Sequence, residues 1–135
     1  MTIRDYTQYR EEEILALYAA VGWTNYTQRP DMLRRSFENS LCTLAAFDGE
    51  DKLVGLVRAV GDGASALLIQ DLLVLPDFQR RGVGGALLRT LLERFSEVYQ
   101  IQLLTDDTEK TRSFYRALGF ADVGELGCRA FLYRK

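Results

Sequence analysis

Gln79-Arg80-Arg81-Gly82-Val83-Gly84-Gly85-Ala86-Leu87 is the stretch on which the fold turns. Ahead of it, Ile69-Gln70-Asp71-Leu72-Leu73-Val74-Leu75 is a short, mostly apolar run that reads as a strand; behind it, Leu87, Leu88, Leu91, Leu92 and Phe95 recur at helical spacing. The glycines therefore stand where a strand hands over to a helix. There the first backbone N–H groups lack intrahelical partners, the helix dipole favours an anion, and residues without a Cβ let phosphate oxygens come close. Glycine also simply starts helices that lie near a strand. Three glycines in four residues, however, would cost roughly 0.5–1 kcal/mol each relative to alanine in a helix, and Arg80 and Arg81 supply the charge an anion needs. Phosphate binding is the stronger reading. Spacing excludes two rival cradles: a P-loop needs Lys-Ser/Thr after its last glycine, where Ala86-Leu87 stands, and G-x-G-x-x-G from Gly82 needs glycine at Leu87.

Working outward, Ile3–Tyr6 reads as an edge strand and Thr7–Val21 as an amphipathic helix burying Ile14, Leu15, Leu17, Tyr18 and Val21. A second helix is expected from Pro30 to about Asn39, with Met32, Leu33, Ser36 and Phe37 inward. Leu41–Phe47 and Lys52–Val60 form a hairpin about Asp48-Gly49-Glu50-Asp51, and Gly61-Asp62-Gly63 turns the chain into a strand from Ala66 to Leu75. After the glycine turn and its helix come a strand at Gln100–Leu104 and a helix at about Glu109–Leu118, capped by Asp107 or Thr108 and stopped by Gly119. Phe120–Val123 and Arg129–Tyr133 are expected to complete the sheet. The order βααβββαβαββ predicts an α/β (α+β) fold, a mixed sheet with helices packed on it.

The 135 residues suit a single domain, 1–135, and 47% hydrophobic with 27% charged residues is an ordinary globular composition. A net charge of −2 gives no bulk attraction to nucleic acid. No apolar run is long enough to span a bilayer and the start does not read as a signal sequence, so the expected compartment is the cytoplasm. Cys42 and Cys128 belong to no C-x-x-C pair and are expected to be small buried hydrophobes. The chain has no histidine, which excludes Ser-His-Asp and Cys-His catalysis and His-based zinc sites. No metal is expected.

Gln79-Arg80-Arg81-Gly82-Val83-Gly84 resembles the phosphate motif Q/R-x-x-G-x-G/A of the GCN5-related N-acetyltransferase (GNAT) family, and Phe114-Tyr115-Arg116-Ala117-Leu118-Gly119-Phe120 resembles its later F-Y-x-x-x-G-F. The resemblance runs from Ile3 to Tyr133. It implies a GNAT-like sheet with helices on both faces and acetyl-CoA as co-substrate. The coenzyme's diphosphate would meet Gln79, Arg80, Arg81, Gly82, Val83, Gly84 and Gly85, and its pantetheine arm the main chain of Leu73, Val74 and Leu75. The family often has asparagine seven residues before the motif tyrosine; here Thr108 stands there, able to bond the coenzyme or to cap a helix.

The resemblance gives Tyr115 the role of general acid toward the departing thiolate. A phenol near pKa 10 stays protonated at neutral pH and can serve a thiol near 8.5, although the apolar surroundings of Tyr115 equally suit a core aromatic. Asp71 is a lone carboxylate in an apolar strand and is either an anchor or the group that takes a proton from an amine. Strand alternation puts Gln70 on the face opposite Asp71, so at most one of them looks into a given cleft. Trp23 and Tyr26 either staple the first helices or wall an acceptor pocket for a small-molecule amine with an apolar or aryl body. A protein lysine or N-terminus is the alternative acceptor, a non-catalytic acyl-CoA sensor the alternative function, and the family admits a homodimer.

Overall fold

A computed structural model describes residues 1–135, which form two compact units, Met1–Leu104 and Thr105–Lys135. The first contains β1 (Thr2–Asp5), α1 (Glu11–Ala20), the short α2 (Thr24–Thr27), α3 (Pro30–Glu38), β2 (Cys42–Phe47), β3 (Leu53–Gly61), β4 (Ala66–Val74), α4 (Val83–Arg94) and β5 (Gln100–Leu103). The sheet runs β1-β2-β3-β4-β5, antiparallel through β4 and parallel between β4 and β5, because α4 carries the chain back as a crossover. Carboxylates build both tight turns. Asp48 accepts from the N–H groups of Glu50 and Lys52, and Asp62 from those of Ala64, Ser65 and Ala66 as well as the Ser65 hydroxyl. The Ser65 hydroxyl and these amides hold the Asp62 carboxyl below the usual carboxylate range.

Adjacent residues of β3 show which helices cover which face. A Cβ on Gly55 would lie 3.0 Å from Val83 Cγ1 and 3.3 Å from Leu87 Cδ1, so that face carries α4. Leu56 points the other way and joins Ile14, Leu17, Tyr18 and Leu33 in a core beneath α1 and α3. Helices thus pack on both faces, as expected. α1 begins at Glu11, later than the periodicity predicts, because Tyr6 still bonds to the Thr43 carbonyl as sheet and Glu11, Glu12 and Glu13 supply the acidic first turn. α2, absent from the sequence reading, is a single turn.

In the second unit α5 (Glu109–Ala117) is capped by the Thr108 hydroxyl, which accepts from the Thr111 N–H at 3.2 Å, and it stops before Gly119 at φ 95°. Beyond it the expectation fails. Phe120–Val123 is not a strand, since the Asp122 carboxylate accepts from the Gly124 N–H and starts a 3-10 turn at Val123–Leu126. Arg129–Tyr133 is not a strand either, having no ladder partner, and Phe131, Leu132 and Tyr133 are 89%, 77% and 85% exposed. Cys42 is buried as expected, but Cys128 is exposed, its Sγ 3.8 Å from the Leu126 carbonyl; both are free thiols.

Candidate active site

The turn between β4 and α4 is built to leave backbone donors free. Arg80 at φ 63° and Gly82 at φ 80° are both left-handed, a conformation that costs a non-glycine residue about 1–2 kcal/mol. Gly82 escapes that cost, and Arg80 carries it within the turn. The main-chain N–H groups from Arg80 to Gly85 find no protein acceptor; the first α4 bond outside the helix proper is Ala86 N–H to the Gly82 carbonyl. Six successive residues therefore present unpaired donors at a helix N-terminus, beside two exposed guanidinium groups, of which Arg81 lies 5.2 Å over the Phe78 ring. Packing of Val83 against Gly55 fixes where this turn sits, a role for Gly55 that the sequence reading missed. Such an array fits a diphosphate.

The turn emerges where the sheet opens. β4 pairs with β5 only from Ala66 to Ile69, so from Gln70 to Val74 it pairs with β3 alone and its other edge carries no strand. Of the three residues expected to meet the pantetheine arm, only Val74 turns its main chain to that edge. Its carbonyl accepts from Gln79 Nε2 at 3.1 Å, and N–H and C=O of one strand residue point the same way. Leu75 is tied down at both ends, its N–H to the Val54 carbonyl and its carbonyl to the Phe78 N–H, and Leu73, two residues before it and opposite Leu56, likewise turns to β3. Gln79 therefore acts here through its side chain, as a brace on Val74.

A β-bulge lies at the start of the open edge. Arg58 stands opposite Asp71 but Ala59 stands opposite Ile69, leaving Gln70 without a partner on β3. Because Arg58 and Ala59 point to opposite faces, the bulge switches β4 so that Ile69 faces α4 and Asp71 faces α1. This corrects the alternation argument. Gln70 and Asp71 meet at one atom, the Tyr26 hydroxyl, which donates to Asp71 Oδ1 at 3.0 Å and accepts from Gln70 Nε2 at 3.3 Å.

Asp71 is the centre of a closed network. Its Oδ2 accepts from the Tyr18 hydroxyl and from Arg58 Nε, each at 2.8 Å, and its side chain is 1% exposed. Burial opposes the charge on Arg58, but the Asp71 carboxylate outweighs it and holds the guanidinium above its ordinary pKa. Burial pushes Tyr18 far up, reinforced by Asp71, and raises Tyr26 despite donation from Gln70. A carboxylate held by three donors and sealed from solvent is an anchor, and the geometry gives it no access to an incoming amine. Tyr26 also stacks on Trp23, ring centroids 6.0 Å apart at 27°, and meets Tyr18 edge-on at 5.2 Å. Trp23 and Tyr26 thus staple α1 to α2, while Tyr26 and Gln70 also line an open cleft of about 300 Å³. Arg58 and Tyr18 were not singled out from sequence; the signal was present in Arg58, the one charged residue of the apolar run Leu53–Val60.

Within the second unit, Tyr115 is half-buried, edge-on to Phe114 at 5.0 Å and to Phe120 at 5.7 Å. Burial raises its pKa, offset in part by the Thr105 hydroxyl, so the phenol keeps its proton throughout the neutral range. The Thr108 hydroxyl is occupied by the α5 cap.

A mixed sheet open along one edge of β4, followed by a donor-lined turn into a helix, is an architecture suited to an anionic ligand. The chain belongs to the GNAT acetyltransferase family: residues 6–132 match the Acetyltransferase (GNAT) domain. It is similar to a solved GNAT-family acetyltransferase from Streptococcus pneumoniae TIGR4, with 42% identity and a TM-score of 0.90 over 99% of this chain and 97% of that one. It is 40% identical to a Glycine max protein named histone acetyltransferase TAP1 over 123 residues, 80% of this chain and 50% of the relative. An aminoglycoside 6′-N-acetyltransferase solved in complex with coenzyme A shares the fold at a TM-score of 0.70 and 18% identity, over 88% of this chain and 84% of that one. The chain spans about half the length of the curated relatives it matches.

Proposed function

We propose that this chain transfers an acetyl group from acetyl-CoA to the primary amine of a small molecule, by direct attack in a ternary complex. The observation that carries the reading is the run of unpartnered N–H groups from Arg80 to Gly85, flanked by Arg80 and Arg81, at a helix N-terminus. These donors hold the diphosphate, and the Val74 main chain at the open edge of β4 orients the pantetheine arm and polarises the thioester carbonyl. The amine nitrogen forms a bond to the carbonyl carbon as the C–S bond breaks. Tyr115 gives its proton to the sulfur, and the proton lost by the amine returns through water to the phenolate. Asp71 takes no proton; it fixes Tyr26, and with it Gln70, at the wall of the acceptor cleft. The compartment proposed is the cytoplasm, and no helix is long and apolar enough to cross a membrane.

A second reading, a protein lysine or N-terminus as acceptor, is favoured by the name of the Glycine max relative. Thiol release from acetyl-CoA, measured across polyamines, aryl-alkyl amines, amino acids, aminoglycosides and peptides, separates the readings. Turnover with small amines supports the first and turnover with peptides alone the second; coenzyme A binding without any turnover makes the protein a sensor.

We also propose that the chain is a homodimer. Each copy offers an unpaired segment with Phe131, Leu132 and Tyr133 in water and a β5 whose outer edge has no strand, and large exposed apolar groups call for a cover. The self-complementary cover is a second copy. Light scattering should give twice the chain mass, and Phe131→Ser/Tyr133→Ser should halve it; a monomeric wild type overturns the proposal.

A further inference from the structure

Resting on the acetyl-transfer reading, the acceptor's chemistry can be narrowed from one guanidinium. The cleft between α2, α3, β3 and β4 is lined by Tyr26, Met32, Ser36, Asn39, Arg58 and Gln70 among others. Arg58 forms its floor with a side chain only 4% exposed. Its Nε donates to Asp71, and its Nη1 donates to Ser40 Oγ at 3.2 Å and reaches toward the Ser36 carbonyl at 3.5 Å. Its Nη2 donates to no protein group. That nitrogen is open to the cleft, and a guanidinium presents its N–H groups in a planar fork suited to a carboxylate.

Charge points the same way. The Asp71 carboxylate is shared among Arg58, Tyr18 and Tyr26 and meets Arg58 only at Nε, so the edge of the guanidinium facing the cleft has no counter-charge. None of the residues lining the cleft is acidic. At its rim the Gln70 amide donates to the Tyr26 hydroxyl and the Asn39 amide to the Arg35 carbonyl, Met32 and Val60 give it an apolar side, and about 300 Å³ is the lower end of the range for ligand pockets. We infer that Arg58 binds a carboxylate of the acceptor, and that the acceptor is a primary amine of amino-acid size carrying that group. The product is then an N-acetylated amino acid, formed by loss of one amine proton to give the amide and the free thiol.

Matched pairs differing only in the carboxylate test this: tryptophan against tryptamine, phenylalanine against phenethylamine, lysine against cadaverine. The carboxylated member should have kcat/KM about tenfold higher or more, as expected for a charge-assisted hydrogen bond. Asn39→Asp, an exposed change that leaves the Arg58–Asp71 pair intact, should raise KM for the carboxylated members about tenfold at nearly constant kcat, and change the decarboxylated members less than about twofold. Binding gives a readout independent of turnover: the Arg58 Nε–Hε resonance should shift on titration with tryptophan and stay in place with tryptamine. Equal kcat/KM within pairs, or an equal effect of Asn39→Asp on both members, overturns the inference. If no amine is turned over, the acetyl-transfer reading fails and the Arg58 resonance decides the cleft on its own, a shift with the carboxylates supporting it and none overturning it.

Discussion

The middle of β4 and the turn that follows it handle hydrogen bonds in opposite ways. At Asp71 a carboxylate is surrounded by Arg58, Tyr18 and Tyr26, each donor aimed inward and the centre sealed; nine to fourteen residues later, Arg80 to Gly85 hold their N–H groups outward with no protein acceptor. Saturation is what anchors a fold. Unsaturation, kept in place by a left-handed arginine and by the seat of Val83 on Gly55, leaves donors free for the anion proposed above. Function is therefore expected to fail at the turn without loss of stability, and stability to fail at the network before function is reached.

The largest effect should come from Gly84→Glu, which sets a carboxylate among the free N–H groups. Coenzyme A binding by calorimetry should disappear while the melting temperature of the free protein stays near wild type; binding retained in a folded variant would break the contrast from the side of the turn. On the network side, Arg58→Met removes one partner of a buried pair and should lower stability by about 3–5 kcal/mol in chemical denaturation, because Asp71 keeps a charge without its counter-ion. A loss below about 1 kcal/mol would mean that the network does not anchor the sheet.

Tyr115→Phe keeps the ring and its edge-on contacts, so stability and coenzyme A affinity should hold while kcat falls about 100-fold where thiolate departure limits the rate. A thioester with a lower thiol pKa should recover part of that loss. Normal turnover with chemistry shown to be rate-limiting would make Tyr115 a packing residue. A smaller effect is expected on the alkaline side. Burial raises Tyr6, Tyr9, Tyr18, Tyr26 and Tyr115 above the value near 10 of an unfolded phenol, so their contribution is intact below pH 10 and is lost as pH rises through the raised values. Thermal melts should be level to about pH 9.5 and fall above it; level stability to pH 11 would contradict the burial of these phenols. Smallest of all, Cys42→Ala/Cys128→Ala should retain most activity, and an isolated acetyl-cysteine would replace direct transfer by a covalent route.

What could be read from the sequence follows the same contrast. The turn was legible because glycine and arginine carry their chemistry in their residue type, whatever packs around them. The network was half legible: Asp71 stood out in an apolar run, but its partners Arg58 and Tyr18 lie 13 and 53 residues away, and only strand pairing brings them together. The bulge at Gln70 is one extra residue defined by register against β3, so period-2 reasoning put Gln70 and Asp71 on opposite faces when they share the Tyr26 hydroxyl. Leu75 could not be discounted as a contact for the pantetheine arm without knowing that Val54 takes its N–H. The strand pattern at Arg129–Tyr133 was plain, but a strand is made by its neighbour, and within one chain these residues have none.

The central claim is that the turn from Gln79 to Gly85 reads a diphosphate. Its most direct test is a pair of titrations on the wild type, coenzyme A against pantetheine, which lacks the diphosphate, followed through the backbone amide resonances of Arg81 to Gly85. Coenzyme A should move these resonances and bind at least about 100-fold more tightly than pantetheine, in keeping with several charge-assisted hydrogen bonds; equal affinities, with the amides of Arg81 to Gly85 unmoved, would contradict the account.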